Sequence, residues 1–186
     1  MRIVAGTLRS RQLKSLKGLS LRPTSDRLRE TLFNILGARV EGSRFLDLFA
    51  GSGAIGIEAL SRGAVSVVFV ENHSAAVRLI RANLATLRIE SGARVIAAQV
   101  AAAIRTLERL PDTAFDFIFL DPPYAEEKQY EGTLRALEKS PLAGEPTIVI
   151  AEHEKRFDPG DGFAPLQRYR KLEQGDAALS FYRISA

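Results

Sequence analysis

The chain has 186 residues, the size of one ordinary domain, and its 46% hydrophobic and 26% charged residues are typical of globular proteins. It has no cysteine and only two histidines, which excludes disulfides and thiolate metal sites and disfavours a histidine-rich metal site. No apolar run approaches the roughly 18–20 residues of a membrane span, and the N-terminus lacks a secretory signal. We therefore expect a cytoplasmic protein that holds no metal.

The net charge of +4 is concentrated at the N-terminus. Residues 1–30 carry eight basic and two acidic side chains, whereas the other 156 residues carry 18 basic and 20 acidic ones. A basic segment on a near-neutral body is typical of a protein that binds a polyanion, and an ordinary solvated basic face is the alternative. Arg9, Arg11 and Lys14 are the first candidates for contacts with phosphates.

The first elements are two short strands and a helix. Residues 2–5 and 12–16 have strand patterns joined by a polar turn, which predicts a small N-terminal β-ribbon. Thr24 and Ser25 supply the chemistry of a helix N-cap, and apolar residues follow at helical spacing until Gly37, where we expect the helix to end.

Strands and helices then alternate along the chain. Strands are predicted at 44–49, 66–70, 94–97, 115–120 and 147–151, and helices at 54–61, 74–87, 101–110 and 130–139. This alternation indicates right-handed crossovers and a parallel sheet covered on both faces. Two further strands, 166–172 and 178–184, flank a Gly-Asp turn and predict a C-terminal antiparallel hairpin. The result is an α/β fold with a mainly parallel, seven-stranded sheet.

A glycine-rich loop lies between the first strand of this sheet and its helix. The segment Gly51-Ser52-Gly53-Ala54-Ile55-Gly56 is a complete G-x-G-x-x-G motif, in which glycines permit a tight turn and the close approach of a ligand. Glu71 follows Gly51 by twenty residues, at the end of the next strand, where a carboxylate can accept hydrogen bonds from both hydroxyls of a ribose. Loop and carboxylate together predict a cofactor that contains a nucleoside.

The motif alone does not separate a dinucleotide from S-adenosylmethionine. Asp47, in the strand before the loop, favours the second, because a carboxylate can face a cationic amino-acid group but would repel a pyrophosphate. Its alternative role is to accept hydrogen bonds from loop amides. We also expect no second domain that could hold the substrate of a hydride transfer. Gln99, at the end of the third strand, is a candidate for reading the adenine ring, or else a simple helix cap or exposed amide.

The most informative motif is Asp121-Pro122-Pro123-Tyr124, directly after the fourth strand of the sheet. Two consecutive prolines have no backbone N–H, so neither a helix nor a sheet ladder continues through them. The Asp121 carboxylate and the Pro122 carbonyl can accept both N–H bonds of a planar amine, and Tyr124 can stack on the heterocycle that carries it. The alternative is a turn that closes a strand with a buried tyrosine. Together with the glycine loop, the motif predicts an amine methyltransferase.

These motifs resemble those of known enzymes. Residues 46–56, Glu71 and residues 121–124 resemble the class I S-adenosylmethionine-dependent amino-methyltransferases. A more specific resemblance is to the RsmD family. The segments that carry it are Arg2-Ile3-Val4-Ala5-Gly6, Arg22-Pro23-Thr24-Ser25-Asp26-Arg27, Asp47-Leu48-Phe49-Ala50-Gly51-Ser52-Gly53 and Phe119-Leu120-Asp121-Pro122-Pro123-Tyr124. The likeness covers nearly the entire chain.

The resemblance implies a Rossmann-like fold and methylation of the N2 amine of a guanine in small-subunit (16S) ribosomal RNA. It implies that S-adenosylmethionine is bound by Asp47, by the loop residues Ala50, Gly51 and Gly53, and by Glu71. It also implies that Asp121, Pro122 and Tyr124 hold the target amine. Arg22, Thr24 and Arg27 lie in a matching motif, where they would close over the cofactor or hold RNA phosphate. Gln99 departs from the Asp or Asn expected at the adenine-reading position.

Residues 1–22 are accordingly expected to form a basic, RNA-binding β-ribbon, and residues 23–186 the methyltransferase domain. The expected partner is ribosomal RNA or a small subunit, which includes assembly intermediates, and the expected state is a monomer. Three other functions use the same features. They are amino-methylation of adenine or cytosine in DNA, methylation of a protein glutamine, and a non-catalytic role in RNA binding or assembly.

Overall fold

The computed structural model describes residues 1–15, 24–111, 113–123 and 126–185. Two of the predicted site residues, Arg22 and Tyr124, lie outside these ranges, as does the end of the predicted strand 12–16. The chain divides into two compact units, Met1–Ala98 and Gln99–Ala186. Within the described part of the chain, no helix has the length and apolar character that crossing a membrane requires.

Within its described residues, the first unit contains three α-helices and three strands. In chain order they are α1 (Asp26–Leu36), β1 (Arg44–Leu48), α2 (Ala54–Ser61), β2 (Ser66–Glu71), α3 (Ser74–Leu87) and β3 (Ala93–Ala97), with a 3₁₀ turn at Gly37–Val40 after α1. The strands are parallel in the order β3-β2-β1. Strand β2 lies in the middle and is buried from Val67 to Glu71, as expected for a parallel strand covered on both faces.

Helix α1 begins and ends where its capping residues predict. The hydroxyl of Ser25 accepts a 3.1 Å hydrogen bond from the backbone N–H of Leu28, which satisfies one of the free donors at the helix N-terminus. At the other end, the N–H of Gly37 bonds to the carbonyl of Phe33. The N-cap and the helix end predicted from the sequence are therefore confirmed.

The N-terminal ribbon differs from the prediction. Among the described residues 1–15, the two limbs share one isolated antiparallel bridge, between Arg2 and Gln12, and do not form two regular strands. The reason is that the N–H groups of Val4 and Ala5 donate to the carboxylate of Glu58, at 2.8 and 2.9 Å, and are not available to a partner strand. The limbs form a hairpin that is tied to helix α2.

The described part of the second unit contains two helices and five strands. They are α4 (Val100–Leu107), β4 (Phe117–Leu120), α5 (Glu127–Leu137), β5 (Ile148–Glu154), β6 (Gly162–Phe163), β7 (Leu166–Gln174) and β8 (Ala177–Ile184). The strand order is β4-β5-β8-β7-β6, with β4 and β5 parallel and the other pairs antiparallel. The predicted C-terminal hairpin is therefore present as β7 and β8.

The predicted number of seven strands is corrected to eight within the described residues. The additional strand, β6, has two residues and pairs with the start of β7. A two-residue strand is too short to show the alternation of polar and apolar side chains by which strands are recognised in a sequence. Two helices also shift: α4 begins at Val100 rather than at 101, and α5 begins at Glu127 rather than at 130.

Candidate active site

The glycine loop connects β1 to α2 in the first unit. Its first part is fixed to β2, because the N–H of Ala50 bonds to the carbonyl of Val70 at 2.9 Å. The N–H of Gly53 then bonds back to the carbonyl of Ala50 at 2.7 Å, which closes a tight turn. Gly53 has φ +78°, a left-handed conformation that side chains disfavour, and the first helical residue follows it directly. The loop therefore presents backbone groups at a helix N-terminus, as the motif predicts.

Glu71 holds the beginning of this loop. It is the last residue of β2, and its carboxylate accepts 2.8 Å hydrogen bonds from the N–H groups of Gly51 and His73, one on each oxygen. A carboxylate has about four acceptor positions, so two N–H bonds leave capacity for further donors such as ribose hydroxyls. The donors and acceptors of the loop thus fit a nucleoside.

Asp47 is buried beneath the loop, with 1% of its surface exposed. One of its carboxylate oxygens accepts a 3.0 Å hydrogen bond from the N–H of Gly56 in α2. Burial raises the pKa of Asp47 to about 7, the Gly56 hydrogen bond opposes this, and the nearby charge of Glu71 adds to it. The contact with Gly56 corresponds to the alternative interpretation of Asp47, and a raised pKa is what a carboxylate without a cationic partner shows.

Gly56 brings α2 close to the sheet. A Cβ atom at this position would lie 2.3 Å from Cε1 of Phe69 and 2.7 Å from Cγ1 of Val67, both in β2. Since both of these side chains are fully buried, no other residue type fits without displacing the helix. The last glycine of the motif therefore sets the packing of helix against strand that positions the loop.

Gln99 lies at the N-cap position of α4, in the second unit. Its side chain is exposed and makes no capping hydrogen bond to the helix. Gln99 is therefore the N-cap residue by position, with an exposed amide that does not cap the helix, and its contact with an adenine ring stays a prediction.

The end of β4 carries Asp121 and the two prolines. Asp121 is partly buried, Pro122 is buried and Pro123 is exposed. The carbonyl of Pro123 accepts a 2.7 Å hydrogen bond from the N–H of Glu126, so the chain turns sharply here, as two prolines after a strand predict. The predicted partner Tyr124 lies outside the described residues.

Tyr130 supports this turn from α5, a role that the sequence did not reveal. Its hydroxyl is buried, donates to the carbonyl of Glu152 in β5 at 2.9 Å and lies 3.5 Å from the carbonyl of Pro122. Its ring packs against His153 and Phe157. A single side chain therefore connects the proline turn, α5 and β5. The only signal in the sequence is a tyrosine at a core position of a helix.

The predicted RNA-binding residues that the structure describes are all exposed: Arg9, Arg11, Lys14 and Arg27. Among the described residues, none of the three on the hairpin forms an ion pair. The hairpin backbone, in contrast, is firmly attached to α2. In addition to the bonds from Val4 and Ala5 to Glu58, the N–H of Leu8 donates to the hydroxyl of Ser61 at 3.0 Å. The basic side chains therefore project from a fixed backbone.

Two buried polar residues complete this attachment, and the sequence interpretation missed both. Glu58 is fully buried and pairs with Arg62 at 2.8 Å and with the equally buried Arg29 at 3.6 Å. Asn83 of α3 is also buried and bonds to the backbone of Lys14 and to the loop. A polar residue inside an otherwise apolar helix face is the signal that could have indicated Asn83.

Comparison with known proteins identifies the class of this fold. A solved structure described as "Putative methyltransferase yhhF from Escherichia coli" superposes with a TM-score of 0.84 and 32% identity, over 100% of this chain and 98% of the other. The predicted Rossmann-like class I fold and the predicted enzyme class are therefore confirmed: the protein is a methyltransferase.

The chain belongs to the family described as "Conserved hypothetical protein 95", whose model matches residues 1–183. "Putative rRNA methyltransferase YlbH" of Bacillus subtilis is 36% identical over 98% of both chains. "Ribosomal RNA small subunit methyltransferase D" of Escherichia coli K12 is 36% identical over 100% of this chain and 91% of the relative. The resemblance to the RsmD family that the sequence motifs predict is thus confirmed.

Proposed function

We propose that this protein transfers a methyl group from S-adenosylmethionine to the exocyclic N2 amine of a guanine in small-subunit (16S) ribosomal RNA. The observation that carries the proposal is that the likeness to the small-subunit RNA methyltransferase of Escherichia coli spans the whole chain. It therefore includes the basic N-terminal hairpin as well as the glycine loop and the Asp-Pro-Pro-Tyr motif. A likeness limited to the last two would fit any amine methyltransferase.

The glycine loop, its neighbouring carboxylates and Gln99 would supply the contacts for the cofactor. S-Adenosylmethionine carries an electrophilic methyl group on a positively charged sulfur. Glu71 would accept hydrogen bonds from the ribose hydroxyls, and the loop residues Ala50, Gly51 and Gly53 would approach the cofactor with their backbone. The Asp47 carboxylate would face its positive charge, and Gln99 would contact the adenine ring. The two N–H bonds that Glu71 already accepts support its role, because they hold the carboxylate in one orientation.

The second unit supplies the residues for the target amine. The Asp121 carboxylate and the Pro122 carbonyl would accept its two N–H bonds and turn the nitrogen lone pair toward the methyl group, while Tyr124 stacks on the base. The cofactor would supply the methyl group for the new N–CH₃ bond and would keep the electron pair of the broken C–S bond on its sulfur. The two oxygens stabilise the positive charge that develops on nitrogen, and Asp121 or water then accepts the proton.

Arg9, Arg11, Lys14, Arg22 and Arg27 would bind phosphates of the RNA. The exposure of the four that the structure describes supports this role. The substrate would be ribosomal RNA in a small subunit or an assembly intermediate, reached by a monomer in the cytoplasm, with residues 1–22 as the RNA-binding extension. Guanine as the target base follows from the family resemblance.

A single labelling experiment tests the proposal. The purified protein is incubated with methyl-labelled S-adenosylmethionine and, in separate reactions, with 16S ribosomal RNA, small ribosomal subunits, DNA and a release factor. We expect label in the RNA or in the subunits, and N2-methylguanosine after digestion to nucleosides. Label in DNA or in protein alone would contradict the proposal. Cofactor binding without any transfer would indicate the non-catalytic alternative.

The variant Asp121→Asn tests the amine site. The loss of the carboxylate charge should reduce transfer by about 10²-fold or more and leave the dissociation constant of S-adenosylhomocysteine nearly unchanged. Asp176→Asn, at the exposed turn between β7 and β8, is the matched control and should transfer at the normal rate. Normal transfer by Asp121→Asn would exclude the proposed role of that carboxylate.

A further inference from the structure

Asn83 links the basic hairpin to the glycine loop. Its side-chain oxygen accepts a 2.9 Å hydrogen bond from the N–H of Lys14, and its side-chain nitrogen donates to the carbonyl of Lys14 at 3.2 Å. The same nitrogen donates to the carbonyl of Ser52, between the first two glycines of the loop, at 3.1 Å. Both hydrogens of the amide are thus used, one toward each segment.

This link is buried and specific. Asn83 has 1% of its surface exposed and belongs to the buried face of α3, beside apolar residues such as Ile80 and Leu84. A buried amide without partners would be costly, so the contacts with Lys14 and Ser52 have to be kept while the unit stays folded. The amide can satisfy both backbone segments only when they lie in one relative position.

The hairpin has a second attachment that leads to the same loop. Glu58 and Ser61, which hold Val4, Ala5 and Leu8, belong to α2, and α2 starts directly after Gly53. The exposed Arg9 and Arg11 lie between the segment held by α2 and the Lys14 segment held by Asn83. The hairpin is therefore connected to the glycine loop by two routes. One runs through helix α2, and the other runs through the side chain of Asn83.

We infer that Asn83 couples the binding of RNA to the binding of the cofactor. Because the amide satisfies Lys14 and Ser52 in only one relative position, an RNA that binds best to the hairpin in that position also favours the matching position of the loop. By linkage the effect is reciprocal, so the cofactor strengthens RNA binding by the same factor. This inference rests on the proposed function, since it takes RNA as the ligand of the hairpin, and it makes Asn83 a positioning residue.

Titration calorimetry tests the coupling directly. The dissociation constant of S-adenosylhomocysteine, which binds without reacting, is measured alone and with saturating 16S ribosomal RNA. We expect RNA to tighten binding by about fivefold or more, the lower end of typical coupling between sites. In Asn83→Ala this ratio should fall to nearly 1. Asn34→Ala, at an exposed position of α1, is the matched control and should keep the ratio of the natural protein.

Hydrogen exchange of the unaltered protein provides a test that needs no variant. S-Adenosylhomocysteine alone should slow the exchange of the Lys14 N–H, which lies on the hairpin and not in the loop. An unchanged Lys14 rate, or a coupling ratio near 1 in the natural protein, would overturn the inference. Neither result would contradict the proposed function. The proposed function is contradicted if no label enters RNA in the methyl-transfer experiment.

Discussion

The carboxylate of Glu71 and the N–H of Gly51 form a 2.8 Å hydrogen bond between the end of β2 and the loop that follows β1. The acidic residue and the glycine motif are twenty residues apart in sequence, and the fold makes them direct partners. Because the second oxygen of the same carboxylate is held by the N–H of His73, its orientation is fixed before any cofactor arrives. Glu71 thus shapes the loop, in addition to its proposed role as an acceptor for a ribose.

Glu71→Gln should weaken cofactor binding. A glutamine has one carbonyl oxygen in place of two carboxylate oxygens, so either Gly51 or His73 loses its acceptor, and a hydrogen bond to a charged group contributes about 1.5–3 kcal/mol. We expect the dissociation constant of S-adenosylhomocysteine to rise at least about tenfold, as measured by calorimetry. Glu131→Gln, at a solvent-exposed ion pair on α5, is the control. Equal affinities of the two variants would argue against the role of Glu71.

Asp47 should make stability depend on pH. Burial raises its pKa to about 7, from 3.8 for the exposed side chain of the unfolded chain. Between these values the folded state binds more protons than the unfolded state, so the free energy of unfolding falls as pH rises through this window. In Asp47→Asn, which keeps an acceptor for the N–H of Gly56, the fall should be smaller. Urea unfolding at pH 5 and pH 8 measures the difference, and parallel profiles would contradict it.

The same carboxylate predicts a proton exchange on ligand binding. If Asp47 faces the positive charge of S-adenosylmethionine, the bound cofactor favours the ionised form and lowers the pKa of Asp47 from about 7. Binding near neutral pH should then release protons, which calorimetry detects as an enthalpy that varies with the ionisation heat of the buffer. Asp47→Asn should abolish this variation, and a buffer dependence that persists in the variant would assign the proton to another group.

Gly56→Ala should destabilise the protein. The new methyl group would lie 2.3 Å from the buried ring of Phe69, and overpacking of this kind costs typically about 1–3 kcal/mol. The matched control is Gly132→Ala in α5, where an added Cβ meets nothing within 4 Å. That change should instead stabilise by roughly 0.5–1 kcal/mol, since alanine is the better helix former. The two substitutions should therefore change the free energy of unfolding in opposite directions, which the midpoints of urea unfolding measure.

The basic hairpin can be tested by charge reversal. Arg9→Glu with Arg11→Glu should raise the dissociation constant for 16S ribosomal RNA and flatten its dependence on salt, by roughly one unit of slope for each phosphate that the hairpin no longer neutralises. The control carries the same change in net charge at Arg105 and Arg109, exposed residues near the end of α4. A similar loss of affinity in both variants would mean that overall charge, and not the hairpin, attracts the RNA.

Local chemistry was predictable from the sequence, and contacts between distant segments were not. The hydroxyl of Ser25 caps a helix that begins at the next residue, and Gly53 makes the turn that its own conformation permits, so both are evident in a short stretch of sequence. The bonds from Val4 and Ala5 to Glu58 join residues more than fifty positions apart. No periodicity in the sequence indicates such a pairing, and the attachment of the hairpin to helix α2 was therefore not predicted.

Glu58 also limits how the N-terminal hairpin can be exchanged between methyltransferases. Its buried carboxylate receives two N–H bonds from the hairpin and pairs with Arg29 and Arg62. Removal of the hairpin would leave this carboxylate with Arg29 and Arg62 but without its two N–H donors, and a hydrogen bond to a charged group contributes about 1.5–3 kcal/mol. A graft of the hairpin onto another methyltransferase would need the same glutamate on the receiving helix. The hairpin and the helix that holds it would therefore have to be transferred together.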